Sequence, residues 1–420
     1  MNMNDHVSHD AISLELCSST TPHNGGGTSS HLCESQKSEN GEDSSNDEGV
    51  SRPPLETFLL QRQRVSDKTL QARKRVEDHW EASVLETFNK ALRQHGHLPP
   101  NPCPAAEHVN GQERHLLDRE KQRVYSEFIR RSRMQLPEFV RLLCGETNFD
   151  SRPNNALETS SWNPSWNYYD HKSKWSNIVH HGVKPKWKSP FPKQFSPPKN
   201  HGSALRALNS IIKSLRTGQD TNRYVILDID LLGSLEDITC SPFGAVQKGD
   251  VDLSKEARLI HDLAYPKGAS VNDNKAEEGE ITISYDGAVA IANRVLDVAS
   301  EHPDQQHLMT GDVNGAFRHI PIAAEVVGRF AGTIPELGIL VIDLYCPFGW
   351  KKLPSSYWVA GAAINHLYAC AAPMWPDQPT CTKGSFDAKA WCDDHIAIEA
   401  DVGSRFSEAN LALRASMMTV

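Results

Sequence analysis

The chain of 420 residues contains no Cys-x-x-Cys pair, and none of its nine cysteines, at 17, 33, 103, 144, 240, 346, 370, 381 and 392, stands with histidine at finger or knuckle spacing. That excludes the common structural zinc modules and leaves free thiols in a reducing compartment as the simplest reading. The N-terminus, MNMNDHVSHDAISLELCSS, lacks the basic start and apolar run of a secretory leader. Its most apolar stretches, such as LGILVIDL at 337–344, are far too short to span a bilayer. An intracellular, soluble protein without a membrane partner is expected, with nucleus and cytoplasm undistinguished. No internal repeat is present, which excludes solenoid and propeller architectures.

The formal net charge of -9 argues against a nucleic-acid partner only until it is divided. The first 50 residues hold nine acids against one lysine, and the remaining chain is nearly neutral, with 44 acids and 43 bases. The acidity belongs to a tail. Residues 1–52, rich in Ser, Asn, Gly and acids, have too few large apolar side chains to offset the entropy of ordering, so a disordered acidic tail is expected. Residues 53–160 carry apolar residues at helical spacing, as in DHWEASVLETFNKALRQHG, and read as a helical region.

Acid is missing altogether between His171 and Gln219, where ten Lys/Arg and four His occur with Trp175, Trp187 and Phe191 among them. Exposed aromatics between Lys174, Lys184, Lys186 and Lys188 suit a phosphate backbone with stacked bases. A Pro-rich linker whose tryptophans pack on the next domain fits the same composition, so 161–222 is either a linker or a nucleic-acid contact. From residue 223, strand-like runs (YVILDIDLL, ARLIHDL, ILVIDLYC) alternate with helix-like ones (DGAVAIANRVLDVASEH, SSYWVAGAAINHLYACAA), which predicts an α+β domain over 223–420.

Four stretches there carry chemistry. In GDVNGAFRHIPI an apolar approach leads to Asp312, and Phe317 follows five residues later; a carboxylate at a strand end is costly unless it is paired or coordinates a cation. In AWCDDHIAIE two short apolar strands flank Cys392, Asp393 and Asp394, so a tight hairpin presents carboxylates at its tip. Set beside Asp312, the hairpin brings two or three acids within about 4 Å of a pair of divalent ions, the arrangement used for in-line phosphoryl transfer. Oxygen-only donors suit Mg²⁺, with Mn²⁺ as the substitute. In CPFGWKKLPSSYWVAGAAINHLY, Pro354 starts a helix and Phe348-Gly349 leaves room for a nucleotide near the backbone. In SPFGAVQKGDVDLSKEARLIHDL, Lys248 and Arg258 flank a polar loop at a separation that suits a triphosphate. Taken singly, each has a plain structural reading: a solvated turn, a core helix, hairpin charges.

In order and wording, the four stretches resemble the fingers and palm of retroelement reverse transcriptases, and SPFGAVQK, RLIHDL, SVND, DVNGAF and FGWKKLP are especially similar to retrotransposon enzymes of the tyrosine-recombinase type. The resemblance runs from Trp187 to Asp401. It implies that Asp312 is the first metal carboxylate and that Asp393 and Asp394 are the pair of an aromatic-x-Asp-Asp motif, with Trp391 in place of the usual Tyr and Cys392 at the variable position. Phe317 falls where the family excludes a ribose 2′-hydroxyl. Phe348, Gly349 and Pro354 match the loop and helix beside the incoming nucleotide, and Lys248 and Arg258 match the triphosphate-holding pair. Lys352-Leu353 before Pro354 departs from the family's small or polar residues. Only 26 residues follow Asp394, where the family continues into a primer-gripping hairpin and a thumb, so an incomplete fold is expected.

The resemblance implies an RNA-directed DNA polymerase that uses two Mg²⁺ ions, dNTPs and an RNA or DNA template with its primer. The alternative is an inactive retroelement remnant that at most binds nucleic acid. A metal nuclease built from the same acids explains neither Phe317 nor the Lys248/Arg258 pair. Oligomeric state is not legible.

Overall fold

The computed structural model describes residues 53–277 and 281–420, together with the backbone of a three-residue strand β1, Ser13–Glu15. The tail expected over 1–52 otherwise lies outside the described residues. The architecture is a mixture of helices and small antiparallel sheets, as α+β patterning predicts.

The first helix, α1 (Leu55–Gln94), runs 40 residues without an internal Gly or Pro and ends before Gly96, which takes φ +75°. It buries only Phe88 and Leu92 fully. Past a small hairpin, β2 (Ala106–Val109) and β3 (Gln112–His115), come α2 (Arg119–Ser132) and α3 (Leu136–Cys144). Asp118 caps α2 by accepting from the Lys121 N–H at 2.8 Å, and Gln135 with Glu138 forms a capping box on α3. Phe88 meets Tyr125, Phe128 and Phe139 at centroid separations of 5.2, 6.1 and 5.9 Å, which locks the three helices together.

The basic stretch folds into α4 (Lys172–His181), α5 (Gly202–Arg206) and α6 (Leu208–Asp220). Its aromatics face inward. Trp175 is fully buried and donates its indole N–H to the Glu158 carbonyl at 2.7 Å; Trp187 and Phe191 are partly buried against the core, ring on ring at 4.9 Å. The exposed stacking surface expected from composition is therefore not formed by these three, because burying an aromatic body outweighs leaving it in water.

A central sheet has the order β4 (Tyr224–Asp228), β9 (Ile339–Asp343), β8 (Ala331–Ile334), and β5 (Phe243–Gln247) pairs with β6 (Ala257–His261) as a separate hairpin. Strand β9, ILVID, is buried from end to end, which explains its unbroken apolar run. A short helix α7 (Val271–Asn274) and α8 (Ala288–Glu301) lead to the sheet that matters for function, in the order β1, β7 (Gln306–Asp312), β11 (Asp394–Ala400), β10 (Ala388–Trp391). Between β9 and β10 lies α9 (Leu353–Ala369), and α10 (Arg405–Met418) closes the chain.

Period-two alternation sorts the side chains of β7 and β11. Leu308, Ile396, Ile398 and Ala400 pack with Ile291, Val295 and Val298 of α8, while Met309 and Ala397 enter the main core with α9 and α10. Glu399, fully buried, anchors the far end: Arg405 Nε reaches it at 2.6 Å, Arg294 Nη2 at 3.2 Å, and it accepts from the Asp387 N–H at 2.9 Å. The site end of the sheet is thus held by packing on both faces and an ionic clamp at the opposite end.

Candidate active site

Strand β7 ends at Asp312, and β10 and β11 are joined by a two-residue turn, Cys392-Asp393. Cys392 has φ +58°, the left-handed conformation that the first residue of such a tight turn adopts and that glycine normally supplies. The turn is packed rather than loose. The Cys392 carbonyl approaches Gly361 of α9, and Asp286 exchanges two 2.9 Å hydrogen bonds with the backbone of Ala390.

The register places Asp394 directly opposite Asp312, one residue from the turn that carries Asp393. The three acids sense one another. Asp312 has its pKa raised by burial and by the charges of Asp393 and Asp394, and Asp394 by burial and Asp393. Among the described residues, no ion pair engages any of the three. Like charges opposite each other destabilise a ladder unless a proton or a cation offsets them. The donor set, oxygen from two adjacent strands, suits a hard divalent ion such as Mg²⁺. Among the described residues no group of three or more His, Cys, Asp or Glu is gathered closely enough to hold a metal ion.

Aromatic side chains wall this cluster. Phe317 packs edge-on against Phe348 at 5.6 Å and against Tyr357 at 5.2 Å. Tyr357, on α9, is 2 % exposed, and its hydroxyl is buried without a hydrogen-bond partner. Burial first, then Asp393, Cys392 and Asp312, push its pKa far up, which fixes the phenol as neutral beside the acids. Tyr285 stands against Trp391 at 5.7 Å and is raised to about 12 by burial, Cys392 and Asp393. A cavity of about 360 Å³, lined by Tyr169, His171, Tyr285, Trp358 and Cys392 among others, opens on this flank. His395, the residue after the pair, is buried against Asn365 of α9 (Nδ1 to Oδ1, 2.7 Å), and burial lowers its pKa to about 4. It is therefore neutral throughout the physiological range.

Other expected residues lie further out. Gly349 takes φ +101°, and a Cβ there would sit 2.5 Å from the His261 carbonyl oxygen, so the glycine is required by close packing of the loop on β6. Asn272 clamps this loop, donating to Gly349 O at 2.8 Å and accepting from the Lys351 N–H at 2.9 Å. Pro354 occupies the first turn of α9. Lys248 is paired with Glu256 at 2.7 Å across the β5–β6 hairpin, while Arg258 is exposed opposite Val246. Lys184 is drawn to Glu325 at 3.9 Å, whereas Lys174, Lys186 and Lys188 are exposed.

The sequence reading missed Tyr357, Tyr285, His395 and Asn365. Nothing in a helical run such as SSYWVAGAAINHLY separates Tyr357 from an ordinary core aromatic; only the fold turns it toward the acids.

No family model and no curated protein sequence matches this chain. Among solved structures, a foamy viral protease-reverse transcriptase dRH in complex with double-stranded DNA aligns with a TM-score of 0.37 at 13% identity, over 59% of this chain and 38% of that one. A second foamy viral protease-reverse transcriptase structure, also with double-stranded DNA, aligns with a TM-score of 0.36 at 14% identity, over 57% and 40%. Among the described residues no helix is long and apolar enough to cross a membrane. This chain matches about two fifths of the length of those solved structures.

Proposed function

We propose that the chain is a metal-dependent RNA-directed DNA polymerase domain, with Asp312, Asp393 and Asp394 as the carboxylates that hold two Mg²⁺ ions. The observation that carries the reading is the Asp312–Asp394 register pair with Asp393 in the adjoining turn, three acids in one another's field with no basic side chain paired to them among the described residues. Bound Mg²⁺ supplies Lewis-acid stabilisation of charge on the primer 3′-hydroxyl and on the departing pyrophosphate. Asp312 and Asp393 are the principal metal donors, and Asp394 supports them from the strand below the turn.

The chain's own side chains then position the substrate. Phe317 bars a ribose 2′-hydroxyl, and its edge contacts with Phe348 and Tyr357 keep the ring from swinging aside. Neutral Tyr357 contributes a wall without a competing charge. Arg258 and Lys248 hold the triphosphate of the dNTP, with Lys248 exchanging its Glu256 contact for phosphate.

Primer extension on an RNA template with Mg²⁺ tests this. Template-directed dNTP incorporation that is lost in Asp393→Asn is expected. A wild-type protein that incorporates nothing sinks the reading, degradation of the strand in place of extension points to a nuclease, and extension that survives Asp393→Asn removes the site assignment.

A further inference from the structure

A buried ionic group that the acid site does not use joins three elements of the core. Asp343, the last residue of β9, is 1% exposed and is engaged on each carboxylate oxygen: His261 Nδ1, on β6, lies 2.9 Å from Oδ2, and Arg318 Nη1 lies 2.9 Å from Oδ1. His261, 3% exposed, also donates from Nε2 to the Ala331 carbonyl of β8 at 3.0 Å, and its ring lies against Phe243 at 4.7 Å. The Arg318 guanidinium sits 4.7 Å over the Tyr224 ring, and Tyr224 is the Cα partner of Asp343 in the β4–β9 ladder. Burial works against the guanidinium's charge, yet Tyr224 and Asp343 outweigh it and raise its pKa.

Three parts of the proposed nucleotide pocket meet on this group. His261 shares strand β6 with Arg258. Arg318 is the residue after Phe317, in the single helical turn Ala316–His319 that follows β7. Gly349, the residue after Phe348, packs on the backbone carbonyl of His261, whose oxygen lies 2.5 Å from where a Cβ would be. The turn itself makes local backbone bonds, Ala316 N–H to Val313 O at 2.9 Å and Arg318 N–H to Gly315 O at 2.6 Å. Its polar ties to the rest of the protein include Asn154, which donates to His319 O at 2.8 Å, and Arg318 on Asp343. Desolvating an acid and its basic partners offsets most of what their attraction gains, so such a group adds little stability over an apolar replacement. What it adds is geometry, because a buried charge shifted off its partner is costly.

We infer that His261, Asp343 and Arg318 form a positioning group: through Arg318 it fixes Phe317 relative to β6 and the Phe348 loop, and so sets the preference of the site for a deoxyribose over a ribose. The inference rests on the polymerase reading above and adds to it what holds Phe317 in place. The ring contacts with Phe348 and Tyr357, at 5.6 and 5.2 Å, fix the tilt of the Phe317 side chain. The Arg318–Asp343 pair fixes the backbone that carries it. All three residues act through Phe317, and a displacement of about 1 Å at such a wall is enough to change a rate by about 100-fold.

The test uses the full chain and two variants. Asp343→Asn keeps the shape and removes the charge; Arg318→Met leaves Asp343 paired with His261 and carries the test if the first variant does not fold. Amide hydrogen exchange compares residues 316–320 with α2 and α3. Primer extension with Mg²⁺ gives the ratio of kcat/KM for a dNTP over the matching rNTP. Exchange is expected to quicken at 316–320 more than in the two helices. The ratio is expected to fall by roughly 10- to 100-fold, through a gain for the rNTP more than a loss of kcat for the dNTP. A group that only stabilises the fold speeds exchange alike in all these segments and leaves the ratio unchanged; either result overturns the inference. A wild type that extends no primer sinks the polymerase reading, and selective exchange at 316–320 in its variants still supports the positioning. Extension by a wild type whose variants keep the ratio sinks the positioning alone.

Discussion

Asp312 and Asp394 are Cα partners in the β7–β11 ladder, two carboxylates facing each other across adjacent strands with Asp393 at the turn beyond them. Both have raised pKa values from burial and from their neighbours' charge. Such a pair costs about 0.2–1 kcal/mol relative to a neutral one. Asp312→Asn is therefore expected to raise the melting temperature of metal-free protein while abolishing Mg²⁺-dependent extension. An Asp312→Asn protein that melts below wild type would show that the acids stabilise the hairpin by some other contact.

Gly349 ties the loop bearing Phe348 to the β6 strand. At φ +101°, with the His261 carbonyl oxygen 2.5 Å from where a Cβ would lie, Gly349→Ala meets both backbone strain and a clash. A loss of at least about 2 kcal/mol is expected. Because the loop must shift, Phe348 leaves Phe317, and discrimination against ribonucleotides should weaken along with stability. Chemical denaturation and competition between dNTP and rNTP measure the two effects. Retained stability would mean that the loop has another place to go.

Much of this was legible in the sequence. The hairpin around Cys392-Asp393 follows from two short apolar runs either side of a polar dipeptide, and β7 ends at Asp312 where the apolar approach ends. Pro354 marks the start of α9, which runs to Ala369, because proline suits a first helical turn. What could not be read is long-range. That Trp175 and Trp187 face inward depends on Glu158 and Phe330, far off in sequence, and composition reports neither.

Glu399 anchors β11 at the end away from the acids. It is fully buried between Arg405 and Arg294, and Arg405 also donates to the carbonyls of Thr382, Gly384 and Ser385. Glu399→Ala leaves two guanidinium groups facing a void, a change that typically costs about 3–5 kcal/mol. Urea unfolding should show that loss. Glu399→Gln retains the shape and the hydrogen bond from the Asp387 N–H, so it should lose less. Equal losses in the two variants would assign the stabilisation to charge instead of packing.

Glu146 gives a pH dependence away from the site. One carboxyl oxygen is buried without a hydrogen-bond partner, and the other lies 4.0 Å from Arg141 Nε. Burial outweighs that cation, and with Glu325 it lifts the pKa to about 7. An unfolded glutamate titrates near about 4.3, so between those values the folded state holds a proton that the unfolded state has released. The resulting stability is present in acid, is lost as pH rises toward 7, and stays lost above it. Glu146→Gln holds the group neutral at every pH. Its melting temperature should match wild type near about pH 4 and exceed it near about pH 8, the difference opening through the interval between the two pKa values. A difference that does not change with pH would mean that Glu146 is charged in the folded protein, with its buried oxygen satisfied by water.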